Sequence, residues 1–131
     1  MRYPVYSETV RQYFEHPENA GNLGSGPGSI ATGVAGEKRK GIRVQFDIRV
    51  EDDCIVDARF RAYGCPYTIA TASWLARNIA GKKISSLEKI DPIKVADALE
   101  LPQEKLGCVL VAEDALNACV ADFHRSTGDT I

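Results

Sequence analysis

Apolar and polar residues alternate over residues 42–50, and this is the clearest pattern in the chain. The four intervening residues are polar or charged, whereas the apolar members of the alternation are Ile42, Val44, Phe46, Ile48 and Val50. Strict alternation with a period of two predicts a β-strand with one buried face and one face in water.

A second alternating stretch covers residues 55–63, after the turn residues Glu51-Asp52-Asp53. Here the pattern predicts that Asp57, Arg59 and Arg61 point outwards. It predicts that the inward-facing residues are Val56, Ala58, Phe60 and Ala62. A third, shorter strand over residues 30–34 would complete an antiparallel meander.

Helical patterns occupy both ends of the chain. Ser7 is suited to the N-cap of a short amphipathic helix that reaches His16, and Pro17 lies just beyond its end. After Cys65 the pattern predicts helical segments over residues 66–80, 85–89, 92–99 and 107–124. Because the strands come first and the helices follow, we expect an α+β fold with a three-stranded antiparallel sheet and helices packed on one face.

The length of 131 residues fits one domain over residues 1–131. Within it, residues 17–29 are rich in glycine and proline and predict a mobile loop.

The net charge of −2 gives no basis for nucleic-acid binding. No apolar run approaches the ~20 residues of a membrane span, and no signal-peptide pattern opens the chain. We therefore expect a cytoplasmic protein with no membrane contact.

The four cysteines are more compatible with reduced thiols or metal ligands than with a disulfide framework. Cys65 precedes Pro66, a residue suited to the first helical position, so its thiol should lie at a helix N-terminus. The helix dipole and the free N–H groups there would lower the thiol pKa. The same argument applies to Cys108 after Gly107. The alternative is that both are small buried residues.

Five segments carry a family resemblance. They are YSE (6–8), HPEN (16–19), YGC (63–65), LPQEKLGC (101–108) and AEDA (112–115). In this order and spacing the chain resembles the IscU/NifU-type iron–sulfur cluster assembly scaffolds, from about Tyr6 to Phe123.

The resemblance implies a site for iron or a labile [2Fe–2S] cluster at Cys65, Cys108 and Glu37, with zinc as a possible substitute. It implies that Cys108 accepts sulfur from a cysteine desulfurase. Two ligand positions of the family are empty here. Ala35 stands where the family carries a cysteine, and Gly107 where it carries a histidine.

The resemblance also implies a partner-binding stretch at Leu101, Pro102 and Lys105, matching the family's site for a specialised Hsp70-type chaperone. Two of the five positions in this stretch differ, at Gln103 and Glu104. The added negative charge argues against recognition by that chaperone.

Three functions remain open at this level. The first is a scaffold or carrier, in which a homodimer or a small thiol completes the four thiolates that a [2Fe–2S] cluster normally needs. The second is a cluster-free adaptor that docks on a desulfurase. The third is a sulfur relay through Cys108 and Cys65. None requires enzymatic turnover, and the chain shows no catalytic triad or phosphate-binding loop.

Overall fold

The computed structural model describes residues 6–24 and 26–126. Short 3₁₀ turns at Lys38–Lys40, Ile84–Lys89 and Gln103–Lys105 connect the main elements. The main elements are α1 (Glu8–Glu15), β1 (Ser29–Glu37), β2 (Ile42–Glu51), β3 (Cys54–Tyr63), α2 (Pro66–Ile79), α3 (Pro92–Leu99) and α4 (Leu106–Ser126).

The three strands form an antiparallel sheet in the order β1-β2-β3, which confirms the predicted meander. Asp52 and Asp53 make the turn between β2 and β3 with φ angles of 51° and 62°. Positive φ at both central residues is typical of the tight turn that matches the twist of a two-stranded hairpin. Aspartate tolerates this conformation better than most residues.

The predicted inward position of Val56 is wrong. Val56 is 45% exposed, and Ile55 is fully buried in its place. The register explains the change: Val50 pairs with Ile55 while Arg49 pairs with Asp57, so Val56 is the extra residue of a β-bulge. The extra residue of a bulge shifts the inward–outward alternation of side chains by one position. The predicted alternation is therefore wrong before the bulge, at Ile55 and Val56, and correct from Ala58 onwards.

The outer face of β2 is also less wet than the alternation predicted, since Gln45 and Arg49 are buried. The guanidinium of Arg49 donates to the carbonyl oxygens of Gly24 and Pro27, which belong to the glycine- and proline-rich segment. Part of this segment therefore lies against the sheet. Its mobility stays a prediction.

Helices cover the other face of the sheet. Helix α4 crosses β1 so closely that a Cβ atom built at Gly33 would lie 2.1 Å from the carbonyl oxygen of Ala115. Helix α2 packs on β3. Helix α1 is capped as predicted, with Ser7 Oγ accepting from the N–H of Val10 at 3.1 Å. No helix among residues 6–24 and 26–126 has the length and apolar character needed to cross a membrane.

Candidate functional site

Cys65 lies at the corner between β3 and α2. Gly64 precedes it with a φ angle of 149°, and a Cβ atom there would approach Thr68 Oγ1 to 2.9 Å. Only glycine adopts this backbone conformation readily and leaves room for the threonine. Cys65 is the N-cap residue of α2, and Pro66 takes the first helical position, as predicted.

Cys108 is the third residue of α4 and is buried, with 6% of its surface exposed. The 3₁₀ turn Gln103–Lys105 runs directly into α4. Cys108 therefore does not stand at a free helix N-terminus, which separates its environment from that of Cys65.

The fold brings the two thiols together through Thr68, a fully buried residue on the first turn of α2. The Thr68 hydroxyl donates to Cys108 Sγ at 3.3 Å and lies 3.6 Å from Cys65 Sγ. Each of the two thiols also affects the pKa of the other. The structure thus contains a dithiol with a shared hydroxyl.

The two thiols differ in their electrostatics. Burial raises the pKa of Cys65, but the backbone and side chain of Thr68, the Tyr67 N–H and the Cys108 thiol all stabilise the thiolate, and the net effect lowers this pKa. At Cys108, burial dominates and the pKa is raised. The prediction that both pKa values fall is therefore confirmed at Cys65 and wrong at Cys108.

Glu37 ends β1 and lines a small cavity of about 150 Å³ together with Cys108, Lys105 and Gly107. Its carboxylate pairs with Lys40 at 3.4 Å and is half exposed. In the described part of the chain, no three or more His, Cys, Asp or Glu side chains are grouped closely enough to hold a metal ion. The structure thus brings Cys65 and Cys108 together through Thr68, whereas Glu37 lines the cavity beside Cys108 and is paired with Lys40.

Of the three residues predicted to bind a partner, Lys105 lines this cavity, and Leu101 and Pro102 do not. Leu101 is half-buried against the core, and Pro102 begins the 3₁₀ turn. Lys105 places its Nζ 5.5 Å from the centre of the Tyr67 ring, within the range of a cation–π interaction. Tyr67 in turn packs edge-on against Tyr6 at 5.0 Å. The Tyr67 side chain is itself buried, and its ring lies next to the Lys105 ammonium group.

The two empty ligand positions differ in their surroundings. Ala35 is half-buried on β1 and packs against the core. Gly107 has no heavy atom within 4 Å of its missing Cβ, so a side chain at this position has open space.

The other two cysteines, Cys54 and Cys119, are not among the residues that line this cavity. Cys54 is half-buried at the first residue of β3. Cys119 is fully buried, and its thiol donates to the carbonyl oxygen of Phe46 at 3.2 Å. Burial raises the pKa of Cys119 to about 12, which keeps it a neutral thiol.

Sequence reasoning missed Thr68. A residue three positions after an N-cap cysteine lies over it on the first helical turn, so spacing could have connected Thr68 to Cys65. Nothing local connects Thr68 to Cys108, which is 40 residues further along.

The model of the NifU-like N terminal domain matches residues 5–130 of this chain. The chain belongs to this family. Among curated members, it is 36% identical over 125 residues to the iron-sulfur cluster assembly scaffold protein IscU of Haemophilus influenzae, covering 95% of this chain and 99% of that protein. It is 35% identical over 120 residues to IscU of Escherichia coli K12, covering 91% and 94%.

Solved structures agree on the fold. A NifU-like N-terminal protein from Brucella abortus superposes with a TM-score of 0.69 at 18% identity, covering 91% of this chain and 94% of that one. A putative SUF-system scaffold from Fervidobacterium islandicum gives 0.66 at 19% identity, covering 88% and 96%. The IscU/NifU-type resemblance and the predicted α+β fold are confirmed.

Proposed function

We propose that this protein is an iron–sulfur cluster assembly scaffold or carrier that receives iron or a labile [2Fe–2S] cluster as cargo at Cys65 and Cys108. The observation that carries the proposal is the convergence of these two thiols on the Thr68 hydroxyl. The names of the curated relatives point to the same role.

The thiolates of Cys65 and Cys108 supply half of the four ligands that a [2Fe–2S] cluster normally has. Cys65 has a lowered pKa and is half-buried, so it would bind the iron first. Cys108 has a raised pKa and would lose its proton when the metal binds. Glu37 could add a carboxylate oxygen after leaving Lys40. A second chain in a homodimer, or a small thiol, would complete the four thiolates. Zinc accepts the same sulfur and oxygen donors and could replace iron.

A cysteine desulfurase would supply the sulfur, and Cys108 would accept it. In this step Cys108 loses its proton to water and reacts as a thiolate, which the Thr68 hydroxyl stabilises by its hydrogen bond. The resulting Cys108 thiolate attacks the outer sulfur of the desulfurase persulfide. The new S–S bond forms on Cys108, the S–S bond of the donor breaks, and the desulfurase cysteine leaves as a thiolate.

The convergence of both thiols on the Thr68 hydroxyl also supports a second candidate, a sulfur relay without iron. In that case the sulfur would pass from Cys108 to Cys65 by a second exchange of the same kind. In either form the role is that of a non-enzymatic cytoplasmic carrier.

Anaerobic reconstitution with ferrous iron and sulfide tests the scaffold, followed by absorption and native mass spectrometry. We expect a cluster mass in the wild type and its loss in both Cys65→Ser and Cys108→Ser, with the far-UV circular dichroism unchanged. Cys54→Ser is the matched control, because it removes a half-buried thiol away from the site. Retention of the full cluster by the double variant would overturn the assignment of the site.

A parallel incubation with desulfurase and cysteine, without iron, separates the alternatives. A gain of one sulfur on Cys108 in a protein that binds no iron would favour the relay. Neither cluster nor added sulfur, together with intact binding to the desulfurase, would favour the cluster-free adaptor.

A further inference from the structure

A second cavity, of about 360 Å³, lies away from the thiols. The C-terminal half of α2, the 3₁₀ turn Ile84–Lys89 and the start of α3 form its walls. Its size is within the ~300–1,000 Å³ typical of ligand pockets. The 14-residue helix α2 connects the two sites, with Cys65 at one end and Asn78 near the other, about 20 Å apart along the axis.

The floor of this cavity is apolar. It includes the half-buried Trp74, which is the only tryptophan of the chain, and Ile90. Leu75, Ile79 and Leu87 are buried beneath. An apolar floor of this kind accommodates an aliphatic or aromatic side chain.

The rim is positively charged in a protein whose net charge is −2. Lys82, Lys89 and Lys94 line the cavity beside a single carboxylate, that of Asp91. Asp91 is already engaged, since it caps α3 by accepting from the N–H of Ile93 at 3.0 Å. Within residues 6–24 and 26–126, none of the three lysines pairs with a carboxylate.

The distribution of the lysines indicates the kind of ligand. They come from three separate segments: one follows α2, one ends the 3₁₀ turn, and one lies in the first turn of α3. A single carboxylate would satisfy one or two of them. Several carboxylates along a peptide would satisfy all three while an apolar side chain fills the floor.

We propose that this cavity is a docking site for an acidic segment of a protein partner, anchored by one leucine or phenylalanine. The site is independent of the thiol chemistry. It would hold a partner on the far end of α2 while leaving the cavity beside Cys108 open.

The fluorescence of Trp74 reports on occupancy directly. The probe is the acetylated, amidated peptide Glu-Glu-Leu-Phe-Glu-Glu, titrated at low salt into the full chain. We expect a saturable shift of tryptophan emission that weakens as salt is raised, because exposed charge pairs are screened. A peptide with lysine in place of every glutamate, and one with Gly-Ser in place of Leu-Phe, should not bind.

The triple variant Lys82→Gln/Lys89→Gln/Lys94→Gln should weaken binding about tenfold. Lys83→Gln is the matched control, because Lys83 is exposed next to Lys82 but does not line the cavity; it should bind like the wild type. Unchanged affinity in the triple variant, or no emission shift with the acidic peptide, would overturn the proposal. Lysine-dependent binding of octanoate without binding of the peptide would also overturn it, in favour of a small carboxylate.

If the acidic peptide does not bind, the reconstitution result at Cys65 and Cys108 is unaffected, so the two proposals are tested separately.

Discussion

The Thr68 hydroxyl donates a hydrogen bond of 3.3 Å to the Sγ of Cys108, which lies 40 residues further along the chain. The same hydroxyl lies 3.6 Å from Cys65 Sγ. The buried Thr68 side chain therefore positions both thiols of the proposed site. It also makes the pKa of each thiol lower than burial alone would make it.

Thr68→Val should raise the pKa of both cysteines, because valine keeps the shape of threonine and removes its hydroxyl. In the wild type we expect iodoacetamide to modify Cys65 before Cys108, since Cys65 is half-buried with a lowered pKa. The variant should shift the pH profile of Cys65 alkylation upwards, as measured by peptide mass spectrometry.

Thr71→Val is the control for this substitution. Thr71 is also buried on α2, but its hydroxyl donates to the carbonyl oxygen of Tyr67 at 2.7 Å. An unchanged Cys65 profile in Thr68→Val, or an equal shift in Thr71→Val, would contradict the positioning role of Thr68.

Cys119 should make the protein less stable in alkali. Its pKa is about 12 in the folded state against an ordinary value of 9.0, so folding favours the protonated thiol. This stabilisation is complete below pH 9.0 and is lost as the pH rises towards 12. Between neutral pH and about pH 10.5, the wild type should lose ~2 kcal/mol more of its free energy of unfolding than Cys119→Ala.

Urea denaturation at the two pH values measures this difference. Val120→Ala, which shortens the next buried side chain without removing a titrating group, should keep the pH dependence of the wild type. If Cys119→Ala keeps it as well, Cys119 is not the source of the effect.

Gly33→Ala should destabilise the fold strongly. The added Cβ would lie 2.1 Å from the Ala115 carbonyl oxygen and 2.4 Å from the Cys119 nitrogen, and neither backbone atom can rotate away. Overpacking of this kind costs about 3 kcal/mol or prevents folding. By contrast, Gly107→Ala meets open space in α4 and should stabilise by up to about 1 kcal/mol. Equal midpoints in urea for the two variants would contradict the close contact of α4 with β1.

The double variant Ala35→Cys/Gly107→His should hold iron longer than the wild type. It adds a thiol and an imidazole at the positions where the IscU/NifU-type pattern has ligands, and Gly107 has space for the new side chain. The measurement is the rate of iron loss to a chelator under anaerobic conditions. The pair Ala35→Ser/Gly107→Ala is the control, and an equal rate in both double variants would show that these positions do not reach the site.

The local sequence pattern predicted most of the helices and strands, because the features that determine them lie within a few residues of one another. The alternation over residues 42–50 lies within β2, Ser7 caps α1, and Pro66 begins α2. The inward position of Val56 and the exposure of Gln45 and Arg49 were predicted wrongly. A β-bulge depends on the register between two strands, and alternation within one strand does not report it.

The sequence by itself determined the fold class, the family and the placement of Cys65 at a helix N-cap. Only the tertiary structure decided that Cys65 and Cys108 share the Thr68 hydroxyl, that Cys108 is buried with a raised pKa, and that Glu37 stays paired with Lys40. The physical reason is distance along the chain: caps and alternation act over a few residues. Burial and the meeting of two thiols depend on how α4 packs against α2 and the sheet.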